Sequence, residues 1–367
     1  MSRGPTNSLV DVAGVLVGGY QRADAPYLTG TSVVVFPEGA VASVDVRGGG
    51  PGTRETDLLD PRNLVERVHA IVLTGGSAYG LDAAGGVMRT LEERGAGLRV
   101  GAEPEQVVPI VPAAVLFDLG RGGDFRARPD AEWGARAAGG ASDAPFARGN
   151  AGAGTGAAAG AVKGGLGTAS EVLPFGVTVA ALVAANAGGE VVDSRRGTLY
   201  GSELALEDEF PLRAPDEEDV RRAAERRPEQ RGLLANTTIG VVATDAALTK
   251  AEAQKMAGVA HDGLARAIRP AHTYFDGDAI FAASTGRVDV EASSTGGDEA
   301  RLERAALLNV LFEAGARAVA RAIVDAVLQA ESAGGLPSYR ELYPSAFATA
   351  GNCFATESRN SFGEGRT

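Results

Sequence analysis

The stretch RGLLANTTIGVVATD, residues 231–245, decides how this chain is organised. A polar, arginine-rich segment ends at Asn236, and an apolar run that predicts a strand follows Thr237. If the Asn236–Thr237 bond opened, Thr237 would carry a hydroxyl nucleophile and a free amine, which together supply nucleophile and base. An α-amino group has a pKa near ~7.7–8, so it can act as a base at neutral pH. Asn-Thr-Thr is also compatible with a plain polar turn before a strand, so other segments must decide.

Downstream of Thr237 the pattern alternates between strand and helix. Thr249 and Glu252 form a T-x-x-E capping box, which predicts a helix that runs to about Arg269. Asp276-Gly-Asp278 then lies in a loop. The remaining predicted elements are a strand at 239–243, a strand at 279–285 and a long amphipathic helix at 301–330.

Upstream the same alternation holds, with many glycine turns, and it favours layered α and β structure. The polar and arginine-rich segment 202–232 buries little and is predicted to be a flexible linker. The predicted elements are two strands around a Pro-Glu-Gly turn at 30–46, a strand at 70–74, a helical pattern at 75–95, an apolar segment at 107–117, an Ala/Gly segment at 151–168 and a buried strand at 174–186.

The composition is that of a globular enzyme with unusually close backbone packing. The 367 residues include 51 glycines, and the formal net charge of −12 argues against nucleic acid and anionic membranes as partners. Cys353 is the single cysteine, so no internal disulfide can form, and this suits a reducing compartment. With no apolar leader or membrane span in the sequence, we expect a cytoplasmic protein.

The histidines do not predict a metal site. His69, His261 and His272 match no zinc pattern in their spacing, and we expect structural or surface roles for them. We therefore expect neither a metal nor a cofactor.

Four segments in order resemble one family: RGGGPGTRETD (47–57), GGSAYG (75–80), AGAGTG…KGG (151–165) and ANTTIG…DGD (235–278). They are similar to the P1 family (S58, DmpA-like) of self-processing peptidases, which includes D- and L-aminopeptidases, β-peptidyl aminopeptidases and nylon-oligomer hydrolases. The resemblance runs from about residue 8 to about residue 330. It implies an αββα sandwich of the type that ornithine acetyltransferases share. It also implies self-cleavage into a larger chain, 1–236, and a smaller chain, 237–367, whose tail from about 335 is expected to be irregular.

The resemblance also implies roles for individual residues. Thr237 would be the nucleophile, first for the carbonyl of Asn236 and later for a substrate amide. Asn186 would donate to the developing oxyanion, and Lys163 would act near the nucleophile. Asp276 and Asp278 would orient Thr237 and its amine.

The resemblance is less specific for the substrate contacts. Ser77 and Tyr79, in GGSAYG, are candidates because the family segment lines the site. Phe117 stands where the nylon-oligomer branch and several aminopeptidases carry a tyrosine, so the hydroxyl's role must be absent or moved. This departure affects substrate preference more than self-cleavage.

Three functions remain open at this stage. The first is a self-processed amidohydrolase or aminopeptidase, or in its variant form an endo-type hydrolase of ω-amino acid (nylon) oligomers. The second is an acyltransferase, although the Ala-Thr-Met junction usual for ornithine acetyltransferases is absent. The third is a silent binding member of the fold. The resemblance further implies a homo-oligomer, such as a tetramer of the processed unit.

Overall fold

The structure is a computed structural model that describes residues 1–226, 236–290 and 297–347. The strands are β1 (Leu16–Arg22), β2 (Thr29–Val46), β3 (Gly52–Arg54), β4 (Arg67–Thr74), β5 (Leu98–Arg99), β6 (Val107–Val108), β7 (Ala113–Val115), β8 (Ala158–Ala159), β9 (Val162–Lys163), β10 (Gly165–Val172), β11 (Thr178–Ala185), β12 (Ile239–Ala246) and β13 (Ala279–Val288). The helices are α1 (Ala83–Glu92), α2 (Ala131–Gly139), α3 (Glu217–Glu225), α4 (Lys250–Ala267), α5 (Gly297–Gln329) and α6 (Tyr339–Leu342).

The long strand β2 belongs to both layers of a β-sandwich. Its first half pairs with β1 and β4, and its second half pairs with β13. The register shifts between Val35 and Ala40, and this irregularity lets the strand bend from one layer into the other. One layer then follows the order β10-β11-β12-β13-β2, and the other continues through β4 and β7 to β3.

Three apolar layers fill the sandwich, because successive side chains of a strand point to opposite faces. Helices α1 and α2 pack on the outer face of β2 and β4, in a cluster that includes Val87 of α1, Ala137 of α2 and Val72 of β4. A second cluster lies between the two sheet layers and contains Leu73 and Phe281. The third places α4 and α5 against β11 to β13. The αββα sandwich predicted from the family resemblance is confirmed.

The prediction of two strands around a turn at 30–46 differs from the structure, which has one bent strand. Pro37 has no N–H to give to a sheet, and Gly39 has a φ of 72°. Both residues sit in the bulge between Val35 and Ala40, where a proline and a glycine are tolerated within a strand. A local pattern of turn residues cannot distinguish a bulge from a turn, because it carries no information on the partner strands.

The predicted helix and strands after Thr237 are confirmed. The side chain of Thr249 accepts from the N–H of Glu252, and the Glu252 side chain accepts in return from the N–H of Thr249. This capping box starts α4 one residue later. The 33-residue helix α5, Gly297–Gln329, contains the predicted amphipathic segment 301–330 except for its last residue.

The predicted linker 202–232 is folded as far as residue 226, which corrects the prediction. Helix α3 lies within it, and its Asp219 accepts two hydrogen bonds from Ser345, one from the N–H at 2.8 Å and one from the hydroxyl at 2.5 Å. Glu209 forms two bonds with the fully buried Arg321 of α5, at 2.6 and 2.8 Å. Composition alone missed these long-range pairings. The remainder of the predicted linker lies outside the described residues.

The predicted irregular tail also differs at its beginning. Tyr339, Leu342 and Tyr343 are buried, and the Tyr339 hydroxyl donates to the carbonyl of Gly197 at 2.8 Å. This segment therefore closes over the 197 loop as part of the core. Residues 348–367, which include Cys353, lie outside the described residues.

We predict that Arg321→Met lowers the free energy of unfolding by about 3–5 kcal/mol. The substitution leaves the buried carboxylate of Glu209 without its guanidinium partner. Urea unfolding measures the loss. Arg301→Met serves as the control, because the Arg301 side chain is 86% exposed and its change should leave stability nearly unaltered. Equal stability of the two variants would contradict the assigned role of Arg321.

Candidate active site

The sheet brings three chain segments to one edge. Strands β12 and β13 run parallel, with Ile239 opposite Ala279, so the residues that precede both strands lie side by side. Strand β11 runs antiparallel to β12, and its last residues therefore end at the same edge. Asn186 follows β11 directly. This topology collects Asn236–Thr238, Asp276–Asp278 and Asn186 in one place.

Thr237 is held tightly at this edge. It is 5% exposed, and its N–H donates to the carbonyl of Asn186 at 2.6 Å. Its hydroxyl lies 2.5 Å from the carbonyl oxygen of Asn236 and also accepts from the N–H of Gly277 at 3.1 Å. The same Gly277 N–H is 3.2 Å from the Asn236 oxygen. A hydroxyl, a carbonyl and a backbone donor thus converge on the Asn236–Thr237 bond.

Gly277 has to be a glycine for this arrangement. A Cβ at this position would lie 2.8 Å from the Thr237 hydroxyl and 2.7 Å from the carbonyl of Gly50. Both distances are too short for real contacts, so a side chain there would displace Thr237 or the 50 loop. The glycine between the two aspartates is therefore a requirement of the site as well as of the turn.

The two aspartates organise the loops around Thr237. Asp276 accepts from the N–H of Gly188 at 3.0 Å and from the Thr273 hydroxyl at 2.5 Å. Asp278 accepts from the N–H of Thr238 at 2.8 Å through one oxygen. Both carboxylates are about 2% exposed. Asp276 pairs with Asn236 in a β-bridge and Asp278 bonds to Thr238, so the two carboxylates hold the residues on either side of Thr237.

The second oxygen of Asp278 is held by His272, which the sequence analysis assigned only a structural or surface role. The Nδ1 atom lies 2.9 Å from that oxygen, and the His272 N–H donates to it at 3.1 Å. The ring of His261 meets the His272 ring edge-on, with centroids 4.8 Å apart. Burial, more than any neighbouring charge, lowers the pKa of His261 to about 4. The neutral ring of His261 thus packs against the side of His272 and supports the His272–Asp278 pair.

Asn186 is fixed by donors on its oxygen side. Its Oδ1 accepts from the N–H of Ala158 at 3.0 Å and from the guanidinium of Arg121 at 2.5 Å. Since both partners are donors, the other side-chain atom must be the amide nitrogen, and it donates to the carbonyl of Phe117 at 3.3 Å. The donors to the Asn236 carbonyl are thus the Gly277 N–H and the Thr237 hydroxyl, whereas Asn186 accepts from the Thr237 N–H through its own carbonyl.

Arg121 is a site residue that the sequence analysis missed. One guanidinium nitrogen donates to Asn186 and to the carbonyl of Gly156, each at 2.5 Å. The other donates to the side-chain oxygen of Asn236 at 3.0 Å. Arg121 lies in a charged loop that contains four arginines between 119 and 150 besides itself, so composition gave no signal for which one turns inward.

Lys163 lies near Arg121, and its two hydrogen bonds go to backbone carbonyls and not to Thr237. It is fully buried, and its ammonium donates to the carbonyls of Gly154 at 3.0 Å and Gly164 at 2.9 Å. Burial, and then the nearby charge of Arg121, lower the pKa of Lys163 to about 7. Burial also raises the pKa of Asp118, the acidic member of this group. The predicted lysine therefore belongs to a buried charge cluster next to the site.

The predicted substrate contacts lie further out. Phe117 meets the site through its carbonyl, as described for Asn186. Ser77 has a φ of 51° and donates its N–H to Leu116 at 3.0 Å, which places it beside the Phe117 backbone. Tyr79 is 55% exposed, with the Arg128 guanidinium 3.5 Å above its ring. In the part of the chain that the structure describes, neither Ser77 nor Tyr79 has a hydrogen bond to Thr237.

Comparisons with known proteins agree with this architecture. The model of Peptidase family S58 matches residues 7–339. A protein described as an uncharacterized aminopeptidase of Mycobacterium leprae (strain TN) is 48% identical over 362 residues, covering 94% of this chain and 96% of the relative. The 6-aminohexanoate-oligomer endohydrolase of Kocuria sp. (strain KY2) is 32% identical over 291 residues, covering 76% of this chain and 75% of the relative.

Two solved structures share the fold. A β-aminopeptidase of Burkholderia sp. superposes with a TM-score of 0.66 at 24% identity, covering 93% of this chain and 92% of its own. The L-aminopeptidase D-Ala-esterase/amidase of Ochrobactrum anthropi, described as a variant of the Ntn hydrolase fold, has a TM-score of 0.65 at 23% identity, covering 91% and 89%.

Fold and relatives together define a hydrolase of peptide or amide bonds. Within that class, the chain belongs to Peptidase family S58. The family assignment made from the four sequence segments is confirmed. Among the described residues, no helix combines the length and apolar content needed to cross a membrane.

We predict that the pH dependence of stability reports the buried state of Lys163. Its pKa is about 7 in the folded chain and near its ordinary value of 10.5 in the unfolded chain. Between these values the unfolded chain binds more protons, so the contribution of Lys163 to stability rises with pH from about 7 toward 10.5 and is constant below 7. The Tm of wild type should therefore rise relative to that of Lys163→Met between pH 7 and 9.5.

Lys255→Met is the matched control, since Lys255 is exposed on α4. Its Tm should run parallel to that of wild type across the same range. A wild-type curve that also ran parallel to Lys163→Met would contradict the lowered pKa.

Proposed function

We propose that this protein is a self-processed amidohydrolase that uses Thr237 as its N-terminal nucleophile. The observation that carries the proposal is the 2.5 Å contact between the Thr237 hydroxyl and the carbonyl oxygen of Asn236. This contact holds the hydroxyl against the carbonyl group that it would attack.

The proposed self-cleavage has two steps. The Thr237 Oγ attacks the Asn236 carbonyl carbon, the bond from that carbon to the Thr237 nitrogen breaks, and the hydroxyl proton passes to the departing nitrogen. Water then hydrolyses the resulting ester, which gives an Asn236 carboxylate and restores the hydroxyl. The Gly277 N–H, 3.2 Å from the Asn236 oxygen, is the donor suited to the negative charge that develops there.

Turnover on a substrate repeats this chemistry. The freed amine of Thr237 removes the hydroxyl proton, the hydroxyl attacks the substrate carbonyl, and the amine product leaves with that proton. Water then releases the acyl group. Asp276 is paired with Asn236 and Asp278 accepts from the N–H of Thr238, the residues on either side of Thr237, which supports the proposed role of both carboxylates in holding the new amine.

The sheet supports an association of the two products after cleavage. Strand β12 of the fragment 237–367 lies between β11 of the fragment 1–236 and its own β13, and β13 pairs with β2 of the first fragment. Since the ladders alternate between the fragments, separating them would require breaking the sheet in two places.

The relatives favour two substrate modes. The Mycobacterium leprae relative, at 48% identity, bears an aminopeptidase name, and this supports release of an N-terminal residue. The Kocuria relative, at 32% identity, is an oligomer endohydrolase, and this supports the alternative of internal amide cleavage. Matched substrates with a free or an acetylated amine separate the two modes.

We predict that purified wild-type protein runs as two fragments whose masses place the break between Asn236 and Thr237. Thr237→Ala should remain one chain and lack amidase activity, because alanine has no hydroxyl to attack. Intact-mass analysis and an amide hydrolysis assay measure both outcomes.

The neighbouring threonine provides the control. Thr238 is fully buried, and its hydroxyl has no partner within the described residues, so Thr238→Val should still be cleaved. An uncut wild-type chain without activity would contradict the proposal and favour a silent member of the fold.

A further inference from the structure

The uncut chain has its own residue at the position of a substrate. Asn236 supplies the carbonyl that Thr237 faces, so its side chain occupies the place where the acyl-side residue of a substrate would lie. The side-chain oxygen of Asn236 accepts from Arg121 Nη2 at 3.0 Å. Arg121 is in turn fixed through its other nitrogen by Gly156 and Asn186. The donor is thus built into the site and does not depend on Asn236 for its position.

The opposite end of the Asn236 side chain faces a different environment. A Cβ at Gly188 would lie 3.6 Å from the Asn236 amide nitrogen and 3.2 Å from Asp276 Oδ1. The glycine therefore leaves open the space that the amide nitrogen and the aspartate share. The carboxamide has a cation on its oxygen side and a carboxylate beyond its nitrogen side, which matches the polarity of the group.

We propose that this subsite selects substrates whose acyl-side residue is asparagine. The inference rests on the proposed self-cleavage, because Thr237 then attacks the carbonyl of the same kind of residue in both reactions. When Asn236 leaves, Arg121 Nη2 loses this acceptor, and an asparagine side chain in a substrate restores it.

Charge and hydrogen bonding argue against leucine and aspartate, which are similar in shape to asparagine. Leucine has nearly the shape of asparagine, but it would leave the half-buried Arg121 donor without an acceptor, which is costly. Aspartate would satisfy Arg121, yet its second oxygen would face the carboxylate of Asp276. The positive charges of Arg121 and Lys163 would attract an anionic side chain, whereas the carboxylates of Asp276, Asp278 and Asp118 would repel it. This repulsion favours the neutral amide of asparagine over the carboxylate of aspartate.

The test compares p-nitroanilides of asparagine, aspartate, leucine and alanine on the processed wild-type enzyme. We expect kcat/KM for asparagine to exceed that for leucine by roughly 10- to 100-fold, as a hydrogen bond to a charged donor should give. A preference for aspartate over asparagine would overturn the choice of the amide. Equal values for asparagine and leucine in an active, processed enzyme would overturn the inference and leave the proposed function intact.

Two sets of variants make the test specific for Arg121. Arg121→Lys keeps the positive charge but loses the two separate guanidinium nitrogens. We expect its ratio of kcat/KM for asparagine to kcat/KM for leucine to fall at least tenfold, independently of any change in the overall rate. Arg126→Lys is the control, because Arg126 is exposed on the same loop, and its ratio should match that of wild type. An unchanged ratio in Arg121→Lys would count against the subsite.

The rate of self-cleavage of the precursor provides a second test, in which Arg121 itself is left unchanged. Asn236→Leu should slow self-cleavage, because leucine offers the Arg121 guanidinium no acceptor. Self-cleavage of Asn236→Leu at the wild-type rate would contradict the inference. A wild-type protein that neither cuts itself nor hydrolyses any of the four substrates would overturn the proposed function and this inference with it.

Discussion

The parallel pairing of β12 and β13 is the constraint on which the site depends. It sets Asn236 beside Asp276 in a bridge that continues the ladder beyond both strands. The N–H of Gly277 thereby reaches both the Asn236 carbonyl and the Thr237 hydroxyl. A strand pair shifted by one residue would turn the Thr237 side chain to the other face of the sheet. The apolar cores on both faces of these strands fix the register and, with it, the geometry of the candidate scissile bond.

Buried charge is the second element of the design. The half-buried Arg121 lies beside the buried pair Lys163 and Asp118, and the buried carboxylates of Asp276 and Asp278 lie on the other side of the site. Each carboxylate of the pair accepts from backbone donors, which is how a protein keeps buried charges in place. The chain thus surrounds one peptide bond with a cation on one side and two carboxylates on the other, in a region where water screens little.

The sequence predicted the elements that have local signals. The capping box of α4, the strand after Thr237 and the Asp-Gly-Asp loop follow from nearby residues, and the family resemblance supplied the αββα sandwich. Local patterns could not foresee the bend in β2 or the folding of residues 202–226, because both depend on distant partners such as Arg321. Arg121 and His272 were missed for the same reason. Their roles come from contacts with Asn236 and Asp278, which no spacing in the sequence records.

We propose that one hydroxyl, that of Thr237, serves both self-cleavage and substrate turnover. The most direct measurement is mass spectrometry of processed enzyme that is quenched in acid during turnover of a slowly hydrolysed substrate and then digested. The acyl group of the substrate should appear on the peptide whose first residue is Thr237. An acyl group on any other peptide, or a recovered peptide that still spans Asn236 and Thr237 in an enzyme with full activity, would contradict it.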